Sequence, residues 1–225
     1  MPQPPETPAL RALRVRLGAT LQHLETVDAA LALAEQTAKT GDPRQPLLKA
    51  LAVQGKYETL QVPAQQARAF TNFSRGENLE LALLAVAAHF LSYLRAVLPL
   101  VHRSRPLVSL LAGAGAGEIE WDRLLQRFEG RGGIAELIGA VLEDTGIQLD
   151  PDIGRQAHAY LAMRDLYLYN GGLVDEEFAK LHGETWNVQP GHKLPKHLKL
   201  GRTAIRAVER LAVSLDAALR PLLGE

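Results

Sequence analysis

No cysteine occurs anywhere in this chain. Disulfides, thiol nucleophiles and cysteine-held zinc are thereby excluded. The absence fits a reducing compartment, and a cytoplasmic location is the expectation. Aromatic residues are scarce at 5%, so a core must be built mainly from Leu, Ala and Val. Net charge is missing too: Lys plus Arg and Asp plus Glu number 25 each. With no global field to draw a nucleic acid or a membrane, any such site has to be a local patch. The opening residues, MPQPPETPALRALRVRLG, hold no apolar run of the kind that heads a secretory signal. The greasiest stretch, LELALLAVAAHFLSYLRAVLPLV (79–101), contains Glu80, His89 and Arg95. A buried helix explains it better than a membrane span, so no membrane partner is expected. Phosphate-binding glycine loops, metal-spaced histidines and nucleophile elbows are also lacking. No metal and no cofactor are therefore implied.

What is present is helical patterning. The 225 residues, 47% hydrophobic and 22% charged, suffice for one domain with a real core. Leu10, Leu13, Leu17, Thr20, Leu24, Val27, Leu31, Ala34 and Ala38 follow alternating steps of three and four. That spacing predicts one long helix over 7–39 packing nearly parallel to a partner, in this chain or another. The breaker TGDPRQP (40–46) ends it. Residues 47–71 are ambiguous: KYETLQV (56–62) has the composition of a short strand, but short helices and loop are favoured. Asn72 or Ser74 is expected to cap a helix over 75–98, which Pro99 ends or kinks. AGAGAG (112–117) reads as a surface loop and a candidate hinge.

Helices then follow over 118–129 and 133–145, the second with Ile134, Leu137, Ile138, Val141 and Leu142 on one face. Asp150 as N-cap and Pro151 at the first position start another, which Gly171 closes. A short helix over 174–181, a loop and a last amphipathic helix over about 198–223 complete the chain. No repeat and no useful strand alternation appears. The fold class is all-α, one domain over 1–225, with N-terminal helices over 1–110 and a second helical portion over 118–225.

The stretch MRDLYLYNGGLVDEEF (163–178) carries the most chemistry. Stepped at about 100° per residue, Ile153, Ala157, Tyr160, Arg164, Tyr167 and Gly171 share one stripe. Arg164 thus sits amid an apolar face. A guanidinium cannot shed its charge, so burial demands partners. It is either a structural arginine, held by a carboxylate or by carbonyls at the helix's own C-terminus, or a ligand for an anion in a groove.

Residues 158–219, and R-D-L-Y-L-Y-N-G-G-L-V-D-E-E-F above all, resemble the core of HEPN proteins, especially the RiboL-PSP-HEPN and MAE-type branches. The likeness covers about 118–223 and takes in GGIAELIGAVLEDTGIQL before the motif and GHKL after it. It implies a compact, often dimeric helical bundle with a long N-terminal helix added here. It also implies a role in defence or stress response and, in active members, a metal-independent endoribonuclease. In those members arginine holds the scissile phosphate and histidine does acid–base work across a subunit interface. The family arginine falls on Arg164, the histidine position on Tyr169, and the following asparagine on Asn170. Positions 164 and 169 point about 140° apart on a regular helix, so they converge only at a frayed end or across a dimer. Tyrosine titrates near 10, so only about one in a thousand is phenolate at pH 7. Losing a general acid–base costs about 10²–10⁴ in rate. The groove reads as retained and the motif as degenerate. His158, His182 and His192 are the alternatives, each read as an ordinary surface histidine. Arg95 and His102 have the right spacing but are set aside because Pro99 falls between them.

GHKLPKHLKLGRTAIR (191–206) is the densest positive run, with Lys193, Lys196, Lys199, Arg202 and Arg206 and no acid inside it. It is a candidate track for a nucleic-acid backbone or else a solvated loop and helix start. Trp186 either stacks on a base or pins its loop to the core. Asp175, Glu176 and Glu177 read as caps, with Asp175 a candidate partner of Arg164. The partners implied are RNA and a second copy of this chain. The competing reading is a non-catalytic helical interaction module that docks its own copy or another protein.

Overall fold

The structure, a computed structural model, describes residues 6–40, 51–53, 56–58, 66–112 and 119–223. Seven α-helices account for most of them: α1 (Pro8–Thr40), α2 (Ala67–Ser104), α3 (Trp121–Gln126), α4 (Gly133–Thr145), α5 (Pro151–Asn170), α6 (Glu176–Trp186) and α7 (Leu198–Leu219). A 3-10 turn, Arg220–Leu222, closes the chain. The all-α class holds, with one small exception: Leu51–Val53 pairs antiparallel with Lys56–Glu58. Those residues were expected as short helices and loop. The breaker at 41–46 and the AGAGAG joint from residue 113 onward lie outside the described residues.

The heptad-like seam of α1 finds its partner within the chain. Leu10, Leu13, Leu17 and Leu24 are buried against α2 and α7. From Val27 to Ala38 the same seam is only half-buried. There α1 and the start of α2 are tied by polar bonds: Arg75 pairs with Asp28 at 2.8 Å and Glu35 at 2.6 Å, and Thr71 Oγ1 donates to Glu35.

Helix α2 departs most from expectation. It starts at Ala67, so Asn72 and Ser74 lie inside it rather than capping it, and it runs unbroken through Pro99 to Ser104. The reason is packing on both sides of the proline: Val97, Leu98 and Val101 are all at most 1% exposed. Their burial outweighs the lost amide, whose cost is about 3 kcal/mol in a helix interior. Among the described residues α2 is the one helix long and apolar enough to cross a membrane, and 56% of its most apolar window is buried inside the bundle.

Glycine 201 lets α7 sit close to the α1–α2 pair. A Cβ there would come within 2.5 Å of the Leu24 side chain and 3.0 Å of Leu79. At the other end of α7, the fully buried Asp216 accepts from Thr7 Oγ1 and from Arg220 at 3.0 Å, fastening the start of α1 to the end of the chain. The main core lies between α1, α2, α4 and α7, centred on Phe90, Leu94, Leu98 and Leu137. A second cluster, including Met163, Leu166, Tyr167, Phe178 and Leu200, joins α5 and α6 to α2 and α7.

Candidate functional site

Helix α5 forms for the reasons its sequence gives. Asp150 accepts from the Asp152 amide at 2.8 Å, Pro151 occupies the first turn, and Gly171 ends the helix in the left-handed conformation at φ 58°. Gly172 follows at φ 76°, and a Cβ there would meet the Tyr167 ring at 2.9 Å. Both glycines are therefore required by geometry. The chain after them is pinned by a short ladder. Val174 donates to the His192 carbonyl, Gly191 to the Val174 carbonyl, both at 2.8 Å, and Leu194 to Gly172 at 2.9 Å. GHKL thus lies against the turn that closes α5, and the start of the basic run adjoins the motif in space.

Arg164 is almost enclosed, its side chain 11% exposed. One guanidinium nitrogen pairs with Asp165 at 2.7 Å; the other donates to the Glu129 carbonyl at 2.9 Å. The second oxygen of Asp165 accepts from the Gly132 amide at 2.8 Å. The two neighbours therefore clamp both ends of the turn between α3 and α4. Asp175 is not the partner of Arg164. It caps α6, accepting from the Phe178 amide at 2.8 Å, and pairs with Arg131. Tyr169 points the other way and is 53% exposed. Asn170 donates from Nδ2 to the Leu173 carbonyl at 2.7 Å, bracing the turn. Within one chain, Arg164 and Tyr169 do not converge.

The five cations of the basic run divide. Lys196 pairs with Glu80 and lies over the Tyr167 ring, 5.5 Å from its centroid. Arg202 pairs with Glu25 at 2.9 Å. Lys193, Lys199 and Arg206 are exposed and have no ion-pair partner among the described residues. Trp186 belongs to α6, which runs further than the 174–181 expected, and it meets the Tyr160 ring edge-on at 5.2 Å. It pins the helix to the core.

Two histidines, expected at the surface, converge beside Asp165. His182 is 4% exposed and His158 half-buried, with ring centroids 5.1 Å apart. Burial, reinforced by the neighbouring His158, pushes His182 down to about 4. Burial also lowers His158, against the opposing pull of Asp165 and Glu177. Both are neutral at pH 7. The Nε2 of His182 is buried without a hydrogen-bond partner. With Arg131, Asp175 and Glu177 the pair lines a cleft of about 60 Å³. The sequence signal was there, since His158 precedes Arg164 by six residues, but nothing in the spacing brings α6 back over α5. Arg95 and His102 share an unbroken α2, yet both are engaged. Arg95 pairs with Glu129 at 2.5 Å, and His102 Nδ1 accepts from the Leu107 amide at 3.1 Å. Among the described residues no group of three or more His, Asp or Glu side chains is arranged to hold a metal ion.

No protein-family model, no curated protein and no solved structure matches this chain.

Proposed function

We propose that this chain is a non-catalytic helical interaction module, a HEPN-like bundle whose groove no longer cuts RNA and whose partner is a second copy of itself. The observation that carries the reading is the state of Arg164. Its fork is spent on Asp165 and the Glu129 carbonyl, inside the bundle, on a different face from Tyr169. A guanidinium so held has little left to offer a scissile phosphate, and tyrosine is a poor proton carrier at neutral pH. At the end of α5 large apolar side chains are exposed: Leu168 is 43%, Tyr169 53% and Leu173 38% exposed, and on α6 Leu181, at the histidine cleft, is 54% exposed. Such side chains grouped around one helix end mark a protein-binding surface. A two-fold axis there would bury the same patch on both copies.

Sedimentation equilibrium tests this. The wild type is expected to dimerise, and Tyr169→Asp and Leu181→Asp to shift it to monomer with the fold intact by circular dichroism. A wild type that stays monomeric at every concentration sinks the reading. A second reading, RNA binding without cleavage, is favoured by the unpaired Lys193, Lys199 and Arg206 beside the motif turn. It predicts affinity that falls steeply with salt and that Lys199→Ala with Arg206→Ala weakens. Metal-free cleavage of single-stranded RNA by the wild type, lost in Arg164→Ala, would overturn both in favour of a nuclease.

A further inference from the structure

Helices α4 and α5 make few direct contacts and leave a groove between them. On α5 the wall is a single stripe, Pro151, Gly154, His158, Ala162 and Asp165, spaced at helical intervals. On α4 it is Ile138, Gly139 and Leu142, with Leu211 of α7 as part of the lining. One end is a mostly apolar chamber of about 300 Å³, with the exposed Asp150 in its lining; the other is the histidine cleft of about 60 Å³. His158 lines both, so the two are neighbouring compartments on one face of α5. The larger chamber is kept open by two glycines inside helices. A Cβ at Gly139 or at Gly154 would meet nothing within 4 Å. Glycine costs a helix about 0.5–1 kcal/mol relative to alanine, and no close packing here requires it.

The chemistry of the polar end narrows the occupant. Asp165 spends both oxygens, on Arg164 and the Gly132 amide. Asp175 spends both, on Arg131 and the Phe178 amide. Glu177 is 76% exposed at the rim. No buried charge is left free to meet a charged ligand. The His182 Nε2, buried and unpartnered, is left over, and beside it the half-buried His158 makes no hydrogen bond among the described residues. A neutral imidazole nitrogen offers one hydrogen bond and no charge, so a charged head buried there would lack a counter-ion.

We propose that the α4–α5 groove is a binding site for an uncharged amphiphile, its aliphatic or aromatic body in the apolar chamber and one hydroxyl-type head hydrogen-bonded at His182. The apolar chamber shares no residue with the exposed Leu168–Tyr169 surface, whereas Leu181 lines the histidine cleft as well, so the chamber end of the site is the part independent of dimerisation.

The test uses the full chain, isotope-labelled, titrated with 1-octanol, 1-aminooctane and octanoate and followed by amide NMR. With 1-octanol, saturable shifts are expected at Gly139, Gly154 and the amides around His182. The two charged probes are expected to bind at least about fivefold more weakly, because neither finds a buried counter-charge. Gly139→Leu and Gly154→Leu fill the chamber from opposite walls. Either is expected to weaken 1-octanol about tenfold or more, with the thermal midpoint kept or raised. Each variant stands in for the other should one fail to fold. His182→Leu is expected to weaken 1-octanol by the loss of one hydrogen bond without strengthening either charged probe, so that the preference for the alcohol narrows. Shifts that spread over the whole chain without saturating overturn the proposal. So do equal affinities for all three probes, or octanol binding that survives both glycine substitutions.

Discussion

Where α1, α2 and α7 meet, the interior is mainly leucine, alanine and valine around Phe90, with a cleft of only about 10 Å³, and ion pairs such as Arg14–Glu209 and Arg202–Glu25 stay at the rim. Asp216 is the buried charge there among the described residues, and it is bonded to Thr7 and Arg220. Around α4, α5 and α6 the interior is of another kind. It holds a near-buried Arg164–Asp165 pair, a buried histidine beside a half-buried one, and two compartments not filled by side chains. The two regions are joined directly, since α5 packs on both α2 and α7. The first region is built for stability. The second accepts charge burial and voids, which stability alone does not favour. Such costs concentrate where a protein binds something.

The contrast can be broken first from the stable side. Phe90 is fully buried at the centre of the main core. Phe90→Ala is expected to lose about 3–5 kcal/mol by urea unfolding, and a loss below that would mean the core is looser than its burial implies. On the other side, Asp165→Ala strands the Arg164 charge and the Gly132 amide together. About 3 kcal/mol is expected to go. The double variant Arg164→Leu with Asp165→Leu should be less damaging than Asp165→Ala, since no charge is left behind. If the double variant is the worse of the two, the pair stabilises the bundle outright and the second region is less unlike the first.

How much of this the sequence showed follows the same division. The α1 seam, the α4 face and both ends of α5 could be read because they rest on local rules: periodicity, an Asp-Pro start, a glycine stop. Helix α2 was cut short at both ends because Pro99 and the cap-like Asn72 and Ser74 are local signals that tertiary burial overrode. For the site, one of the two roles weighed for Arg164, a structural arginine held by a carboxylate, describes its contacts, but Asp175 was the wrong carboxylate, and the carbonyl it meets is that of Glu129 rather than one at the end of its own helix. The true partner is the adjacent Asp165. Neighbours on a helix diverge by about 100°, so that pair is visible only once the α3–α4 turn is seen folded onto both. The meeting of His158 and His182 depends on α6 returning across α5, which no spacing encodes.

The histidines sharpen the comparison by pH. In the unfolded chain His182 takes its proton near pH 6.5; in the fold it does so only at about 4, because of its burial and then the neighbouring His158. Between those values the unfolded state holds more protons. Stability is therefore full above about pH 6.5 and falls as the pH drops toward about 4. Asp165 and Glu177 face His158 and favour its charged form, which moderates the loss without reversing it. A thermal midpoint that drops a few degrees over that window, at about 2–4 °C for each kcal/mol, is expected in the wild type and should shrink in His182→Leu. Equal drops in both proteins would place the acid sensitivity elsewhere.

The smallest effect concerns the glycines. Gly139 and Gly154 lie inside α4 and α5 with open space where a Cβ would stand. Gly139→Ala and Gly154→Ala should each raise stability by about 0.5–1 kcal/mol, by lowering the entropy of the unfolded chain and adding helix propensity. The corresponding change at Gly201, where a Cβ would collide with Leu24 and Leu79, should lower it. Opposite signs for one substitution in two regions would mark the line between packing kept tight and space kept open. If Gly154→Ala is also destabilising, the chamber wall is strained in a way its open surroundings do not show. The glycines would then serve the helix rather than the space beside it.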